Sequence, residues 1–395
     1  MSVLLFVSQV SPVGRHASSA ILHRHLASLE QAGFQIAVAI PEDVAAAAEL
    51  PSTWRCARLP LRRFYYPPYR AGSAWARTAR WMLFDRVLRR ALGGRPPAAV
   101  IGLLQGDYLV NYAGWISARR RRPLFYFYHD RSELLYHARD SAAAGLVRAQ
   151  NLRLLRQPLT RRVWTVCPQL VYPERDVAGK FLTVYPLPEA IPGALPRWRP
   201  EFAAAPVLAY AGSIYNEVLD PLRAVAAGLR AAHGQLRFYS HMREQAEKLA
   251  AEFPGTVSYA GERSETAELC QELRGIAAGF LVAYPDDVSA MPWSVDCFPS
   301  KFTQLAQTGL PGLVFAPRAT SIGWWCEQAG WSLYRPDSSA RSVAELLAQV
   351  REQASWEQAA QESARAAGGD FDPAAIESLV LADLRAHLSP AAPAP

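Results

Sequence analysis

The sequence predicts an α/β protein built from two doubly wound domains, each with a mainly parallel sheet. Short, continuous apolar runs alternate with helical segments, as expected for parallel strands that are covered on both faces. This alternation stops at a proline-rich segment and then starts again. The chain has 395 residues, of which 50% are hydrophobic and 19% charged. That length suits two globular domains better than one.

The first half of the chain predicts a domain over residues 1–190. Val3–Ser8 is a continuous apolar strand, Ala17–Gln31 follows as a helix that Gly33 ends, and Gln35–Ile40 is the second strand. Three more short apolar runs predict buried strands: Ala98–Leu103, Leu124–Tyr128 and Val163–Val166.

Residues 191–205 are proline-rich and aperiodic, which predicts an interdomain linker. A second domain is expected over residues 206–372, followed by a C-terminal helix over 373–388 and a disordered tail over 389–395. The predicted strands of this domain are Val207–Ala211, Leu236–Tyr239, Val257–Ala260, Gly279–Ala283 and Gly312–Phe315, with helices at Asp220–Ala232, Thr266–Arg274 and Ser342–Gln353.

Several protein classes are unlikely on composition. No apolar run approaches the roughly 20 residues of a membrane span. The start, Met1–Val7, lacks a basic segment and resembles a strand more than a signal peptide. The five cysteines are widely spaced and form no C-x-x-C pair, which argues against a disulfide framework or a zinc site. We therefore expect a cytoplasmic protein without a metal.

Positive charge is concentrated in the first half of the chain. Residues 1–190 carry 26 Lys and Arg against 12 Asp and Glu, a net charge of +14, whereas the remainder carries −7. Residues 61–90 interleave eight arginines with seven aromatic residues, and Arg119–Arg122 adds four cations. This pattern favours an anionic membrane surface. Nucleic acid is the less favoured partner, because no RNA-binding signature or zinc knuckle is present.

The segment Phe298–Pro317 predicts a helix followed by a buried strand. Pro299 suits the first turn of a helix, and Gly309 suits the position just after its end. Lys301 lies in the first turn, where helix N–H groups favour an anion, and Gln304 lies on the same face. An ordinary helix–strand unit is the alternative interpretation.

Two other turns carry polar groups at predicted strand ends. Gly212-Ser213 ends the first strand of the second domain, where a glycine lets the backbone approach a phosphate closely. Gly261-Glu262-Arg263 ends a later strand. Glu262 is either a ligand-binding acid or an ordinary acid at a helix N-terminus.

Together these turns and the Lys301 helix resemble the nucleotide-sugar domain of GT-B glycosyltransferases, and the resemblance covers essentially the whole chain. It implies a cleft between the carboxyl ends of the two sheets. It also implies that a nucleotide-sugar donor is bound by a set of residues in the second domain: Gly212, Ser213, Glu262, Arg263, Ser300, Lys301 and Gln304.

Many retaining GT-B enzymes have two glutamates separated by seven residues. The corresponding positions here are Asp296 and Gln304, so the second carboxylate is absent. Lys301-x-x-Gln304 followed by Gly309-Leu-Pro instead resembles the bacterial β-glucuronosyltransferase of xanthan assembly, which is an inverting enzyme.

An inverting transfer needs a base that takes the proton of the acceptor hydroxyl. His129 and Asp130 follow the predicted strand Leu124–Tyr128, and the resemblance favours Asp130 as the base. A helix-capping role for Asp130 is the alternative. The loop after the first strand carries Gly14, Arg15 and His16, which we expect to contact the acceptor or the donor phosphate.

The expected function is transfer of a sugar from a nucleotide-diphosphate donor, with UDP favoured by the resemblance. The expected acceptor is a saccharide or a lipid-diphosphate-linked saccharide in bacterial surface or extracellular polysaccharide synthesis, at the inner face of the membrane. A retaining transferase, a nucleotide-sugar epimerase and a non-catalytic basic module that binds an anionic polymer remain alternatives.

Overall fold

The computed structural model describes residues 2–14, 17–61, 74–105, 108–135, 141–263 and 265–388. The chain divides into two compact units. The first contains residues up to Val184 and those from Glu377 onward, and the second contains Tyr185–Ile376. Residues 62–73 of the predicted arginine–aromatic segment lie outside the described residues. The whole of the predicted disordered tail, 389–395, also lies outside them.

The first unit contains a seven-stranded parallel sheet in the order β3-β2-β1-β4-β5-β6-β7. Its strands are β1 (Val3–Val7), β2 (Gln35–Pro41), β3 (Arg55–Leu59), β4 (Ala99–Leu103), β5 (Leu124–Tyr128), β6 (Thr160–Thr165) and β7 (Phe181–Thr183). Its helices are α1 (Ala17–Gln31), α2 (Glu42–Ala47), α3 (Ala74–Ala91), α4 (Tyr108–Arg120), α5 (Ser132–Leu135), α6 (Ser141–Leu155) and α7 (Arg175–Ala178).

The second unit contains a six-stranded parallel sheet in the order β10-β9-β8-β11-β12-β13. Its strands are β8 (Val207–Ala211), β9 (Gln235–Tyr239), β10 (Val257–Tyr259), β11 (Gly279–Ala283), β12 (Gly312–Phe315) and β13 (Tyr334–Arg335). Its helices are α8 (Pro200–Ala204), α9 (Leu219–Ala231), α10 (Arg243–Glu252), α11 (Thr266–Ile276), α12 (Ser300–Ala306), α13 (Ser321–Ala329), α14 (Ala340–Arg351) and α15 (Gln353–Ala367).

The last helix, α16 (Pro373–Leu388), begins in the second unit, and its residues from Glu377 onward belong to the first. Within the first unit, the side chain of Asp383 is 8% exposed and accepts hydrogen bonds from Arg162 Nε and Trp164 Nε1, each at 2.9 Å. These bonds attach α16 to β6. The C-terminal helix was predicted, but its membership of the first unit was not, because the acid and its two partners are more than 200 residues apart in sequence.

The division between the units differs from the predicted one. Residues 191–205, which the proline content predicted as a linker, lie within the second unit, where Ile191 and Phe202 are buried. Arg274 holds part of this segment through hydrogen bonds from its guanidinium to the carbonyl oxygens of Pro192, at 2.7 Å, and Ile191, at 3.3 Å.

Both sheets place a change of strand order between two central strands. In the first unit this point lies between β1 and β4, and in the second between β8 and β11. In open parallel sheets, ligands bind outside the carboxyl ends of the strands at this point. None of the helices over the described residues is both long enough and apolar enough to cross a bilayer.

Candidate functional site

The turn after β8 lies directly against the start of α12. Gly212 has a φ of +129°, and a Cβ placed on it would lie 3.5 Å from Cγ of Lys301. Ser213 follows, and its carbonyl oxygen accepts a 2.8 Å hydrogen bond from the Tyr210 hydroxyl. β8 and α12 flank the point where the strand order changes. The structure therefore brings the Gly212-Ser213 turn close to Ser300 and Lys301. That these residues bind a donor stays a prediction.

Aromatic packing fixes the position of α12. Phe302 is fully buried and lies among rings at centroid distances between 5.3 and 6.3 Å, contributed by Phe280, Phe298, Trp325, Trp331 and Phe371. Lys301 precedes Phe302 and is exposed. Because Phe302 is anchored among these rings, the preceding residue, Lys301, is held on the exposed side of the first turn of α12.

Gln304 does not face the same partners as Lys301. Its side chain is 4% exposed and makes two hydrogen bonds with the backbone of Glu189: Oε1 accepts from N at 2.8 Å, and Nε2 donates to O at 3.0 Å. Both polar atoms of the Gln304 amide are therefore engaged in hydrogen bonds within the protein. The predicted donor-binding role of Gln304 rests on its helix position and on the resemblance, and neither could reveal a partner 115 residues away.

Glu262 and Arg263 follow β10, two strands away from β8. Arg263 donates to Glu272 Oε2 at 2.9 Å and to the Ala260 carbonyl at 2.7 Å, and its guanidinium lies 5.3 Å from the Tyr239 ring centroid. These contacts give Arg263 a local structural role. Glu262 is exposed at the carboxyl end of β10. Two strand spacings separate β10 from β8, which amounts to about 10 Å.

An aromatic pair beside Gly212 was not predicted. Tyr215 is 44% exposed, and its ring lies 5.5 Å from that of Trp293 in an edge-to-face arrangement. Tyr215 follows the β8 turn, whereas Trp293 lies in the segment that leads to α12. Exposed rings at such a position provide a flat apolar surface for a sugar or a base. In the sequence, the only sign of this aromatic pair is that Tyr215 lies three residues after Gly212.

In the first unit, polar side chains gather at the carboxyl ends of β1, β4 and β5. Ser8 and Gln9 follow β1, Gln105 follows β4, and His129 follows β5, and all four are buried. Asp130, next to His129, is half-buried. Buried polar groups at the ends of neighbouring parallel strands are typical of a ligand site.

His129 is enclosed by the protein. Its side chain is 4% exposed, and its Nδ1 atom has no hydrogen-bond partner among the described residues. Burial lowers the pKa of His129 to about 4. His25 packs against Phe127, with their ring centroids 4.8 Å apart, and burial, the largest effect, lowers the pKa of His25 to about 3. Both imidazoles are therefore neutral at pH 7.

The segment after His129 is fixed by a buried network. Tyr172 donates from its hydroxyl to Glu133 Oε1 at 2.8 Å and accepts from Asn151 Nδ2 at 3.0 Å. Arg131 donates to the carbonyl oxygen of Val171 at 3.2 Å. The backbone on the C-terminal side of Asp130 is thereby held in place, which favours a precise position for its carboxylate.

The remaining predicted positions lie in the loop after β1. Gly14 is exposed and has a φ of +150°. Arg15 and His16 lie outside the described residues. The described part of the chain contains no group of three His, Cys, Asp or Glu side chains that could hold a metal ion. The predicted independence from a metal stays a prediction.

Comparison with known proteins relates this architecture to glycosyltransferases. No protein-family model and no curated protein matches the sequence. Solved structures do match. Anabaena Alr3699/HepE, solved in complex with UDP-glucose, aligns over 98% of this chain and 100% of its own, with a TM-score of 0.64 and 11% identity.

The fold is GT-B. WaaG, a glycosyltransferase involved in lipopolysaccharide biosynthesis, matches over 96% of this chain and 98% of its own, with a TM-score of 0.57 and 15% identity. A UDP-glucosyltransferase from Polygonum tinctorium matches over 98% and 99%, with a TM-score of 0.58 and 13% identity. The predicted fold class is therefore confirmed. At these identities the similarity concerns the GT-B fold alone.

The buried histidines predict a pH-dependent stability of the first unit. The pKa of His129 lies below its ordinary value of 6.5, so the unfolded chain binds more protons between pH 6.5 and 4. The stabilisation is complete above about pH 6.5 and is lost as the pH falls, by about 2–3 kcal/mol at pH 4.5. Denaturant unfolding of the His129→Asn variant should show a weaker decrease than wild type.

The exposed His241 of the second unit provides the control. The His241→Asn variant should retain the full decrease between pH 7 and 4.5. Equal slopes for wild type and His129→Asn would contradict the buried, neutral state of this histidine.

Proposed function

We propose that the chain is a glycosyltransferase that takes a sugar from a UDP-sugar donor. The close approach of Gly212 to Lys301, at the strand-order change of a GT-B fold, is the observation that carries this proposal. It is supported by complexes of similar folds: HepE with UDP and UDP-glucose, and S. aureus MnaA with UDP.

The two residues have complementary tasks in such a site. Gly212, without a Cβ, lets the diphosphate approach the backbone. The Lys301 ammonium attracts that diphosphate and stabilises the negative charge that builds on it as the sugar leaves. In this proposal these groups neutralise the phosphates without a metal ion.

The acceptor hydroxyl would be deprotonated by Asp130 in an inverting transfer. Asp130 is half-buried beside a rigid hydrogen-bond network, whereas the buried His129 with its lowered pKa is a weak base. His129 can still orient a hydroxyl through Nδ1, which has no partner among the described residues. The resemblance of Lys301-x-x-Gln304 to the xanthan-type β-glucuronosyltransferase supports inversion.

We further propose that the enzyme acts at an anionic membrane on a lipid-linked saccharide of bacterial polysaccharide synthesis. Helix α3 supports this. Trp75, Met82 and Leu83 are 79%, 42% and 46% exposed and occupy one side of the helix, where Arg86 also lies. An exposed apolar stripe accompanied by arginines suits lipid headgroups.

The opposite side of α3 is buried through Trp81, Phe84 and Leu88. The one acid of this helix, Asp85, is buried and paired with Arg89, Arg119 and Arg120. The acid is thus already neutralised, and the outer surface of α3 keeps a positive charge that anionic lipids would attract.

Nucleotide binding should depend on Lys301. In calorimetric titrations with UDP, GDP, dTDP, CMP and ADP, we expect selective binding of UDP. Lys301→Ala should weaken it about 10- to 100-fold, because a charge-assisted hydrogen bond contributes about 1.5–3 kcal/mol. Lys248, which is exposed on α10, provides the control, and Lys248→Ala should bind UDP like wild type. If no nucleotide binds to wild type, a non-catalytic basic module becomes the better interpretation.

Asp130→Asn should lower turnover about 10²- to 10⁴-fold without changing UDP affinity, because it removes a base and no donor contact. The assay is the slow hydrolysis of UDP-glucose, followed by NMR, in which water replaces the acceptor. Inversion predicts β-glucose as the first product, whereas α-glucose would indicate a retaining enzyme. Asp176→Asn, at an exposed ion pair of the same unit, should hydrolyse the donor at the wild-type rate.

Membrane binding should depend on the outer face of α3. With phosphatidylcholine vesicles that contain phosphatidylglycerol, Trp75→Ser and Arg86→Gln should each reduce co-sedimentation several-fold, since a surface arginine contributes about 1 kcal/mol. Vesicles of phosphatidylcholine alone should bind weakly. Arg341→Gln, at an exposed position of the second unit, is the charge control. Binding that is unchanged in both α3 variants would exclude this face.

A further inference from the structure

The backbone N–H of Ile214, in the turn after β8, donates its hydrogen bond to a sulfur atom. The acceptor is Sδ of Met242, which follows β9, and 3.1 Å separate the nitrogen from the sulfur. A thioether is a weaker acceptor than a carbonyl or carboxylate oxygen. Ile214 is fully buried, however, and a buried N–H that loses its acceptor destabilises the fold. The sulfur therefore helps to hold this turn in place.

Two further hydrogen bonds hold the rest of the same turn. Gly212 N donates to the Tyr239 carbonyl at 3.0 Å, and the Tyr210 hydroxyl donates to the Ser213 carbonyl at 2.8 Å. Both acceptors are backbone carbonyl oxygens, which an oxidant leaves unchanged. The thioether differs from them, because oxidation converts it into a polar sulfoxide.

The backbone of Met242 is fixed on both sides of its side chain. Its N–H donates to Ser240 Oγ at 3.0 Å, and its carbonyl oxygen accepts from Ala246 N, in α10, at 3.3 Å. Ser240 is held in turn, since its carbonyl oxygen accepts from the Tyr259 hydroxyl at 2.9 Å. A change in the shape of the Met242 side chain is therefore passed on to the turn after β8.

The side chain of Met242 is accessible to a small molecule. It is half-buried, whereas Met291 is 1% exposed and Met82, on α3 of the first unit, is 42% exposed. A small oxidant such as hydrogen peroxide can therefore reach Met242 and Met82. Of these two, Met242 has its sulfur against the turn after β8.

We propose that Met242 is a positioning residue of the donor site and a site of reversible oxidation, through which a peroxide weakens donor binding. The thioether sulfur attacks one oxygen of hydrogen peroxide, the O–O bond breaks, and the second oxygen leaves as water. The sulfur loses two electrons and the peroxide gains them. A sulfoxide reductase with a dithiol reverses the step and yields a disulfide and water. The inference rests on the proposed function, since it names a regulation of the same site.

Oxidation changes the geometry of the contact with Ile214. The acceptor of a sulfoxide is its oxygen, which projects beyond the sulfur, so the N–H can no longer stay at its present distance from Sδ. Since the backbone of Met242 is fixed, the turn has to move. Gly212 moves with it, and the approach of Gly212 to Lys301 is the feature on which the proposed phosphate site depends.

The test is a calorimetric titration with UDP before and after treatment with hydrogen peroxide. Oxidised wild type should bind UDP about tenfold more weakly, which is the equivalent of one hydrogen bond, and methionine sulfoxide reductase should restore the affinity. Met242→Leu keeps the size of the side chain without its sulfur, and its affinity should be the same before and after peroxide. This variant retains all five cysteines, so it also separates thiol oxidation from oxidation of Met242.

Met82 provides the matched control, because it is an exposed methionine outside the second unit. Met82→Leu should lose as much UDP affinity on oxidation as wild type does. Mass spectrometry of peptides measures the sulfoxide at each position. The proposal is overturned if Met242 stays reduced while Met82 is oxidised, or if peroxide weakens UDP binding by Met242→Leu as much as by wild type. Unchanged UDP binding by wild type with oxidised Met242 would also overturn it and would leave the proposed function intact.

A readout without nucleotide separates this inference from the proposed function. In protein that contains isotope-labelled isoleucine, the amide NMR signal of Ile214 is identified by its absence from Ile214→Val. That signal should shift on oxidation of wild type and stay in place in Met242→Leu. An unshifted signal in wild type with oxidised Met242 would overturn the positioning role. If wild type binds no UDP, the proposed function fails and the regulation of donor binding fails with it, whereas a shifted signal would still support the contact.

Discussion

The proposed donor site depends on how closely the turn after β8 approaches the start of α12. This approach is possible because Gly212 has no side chain and adopts a φ of +129°, in a region where other residues are strained. A side chain at Gly212 would fill the space next to Lys301, where the proposed diphosphate would bind. The proposed site thus requires a residue without a Cβ at position 212, and Lys301 on the facing helix supplies its positive charge.

The facing helix can carry this charge because its other side is anchored. α12 has seven residues, which is too short to be stable by itself, and the rings around Phe302 hold it in place. Thr303 and Gln304 then use the same helix to hold residues 186–189. One short helix therefore carries Lys301 on its exposed side and holds the backbone of residues 186–189 on its buried side.

The sequence predicted the central strands and one edge strand, β10, but missed the edge strands β3, β7 and β13. β1, β2, β4, β5, β8, β9, β11 and β12 are buried parallel strands, and their continuous apolar runs are readable. β3, β7 and β13 lie at sheet edges, where one side lacks a partner strand and burial is lower. The β3 sequence Arg55-Cys-Ala-Arg-Leu59 contains two arginines and therefore shows no apolar run.

The site was predictable to the extent that its residues follow the ends of strands or begin a helix. Gly212 and Lys301 satisfy that condition, and so do His129 and Asp130. The partner of Gln304 was not predictable in this way, because the backbone of Glu189 lies 115 residues away in sequence.

Burial, finally, separates the two polar residues at the end of β5. His129 and Asp130 are neighbours in sequence, yet the first is enclosed and the second half-exposed. Enclosure withdraws the imidazole from water, so holding a proton becomes unfavourable and its pKa falls to about 4. A group with so low a pKa takes a proton from a sugar hydroxyl less readily than its ordinary chemistry suggests, but as a neutral imidazole it can still hydrogen-bond that hydroxyl. The proposed division of labour between an orienting histidine and a basic aspartate thus rests on their different access to solvent.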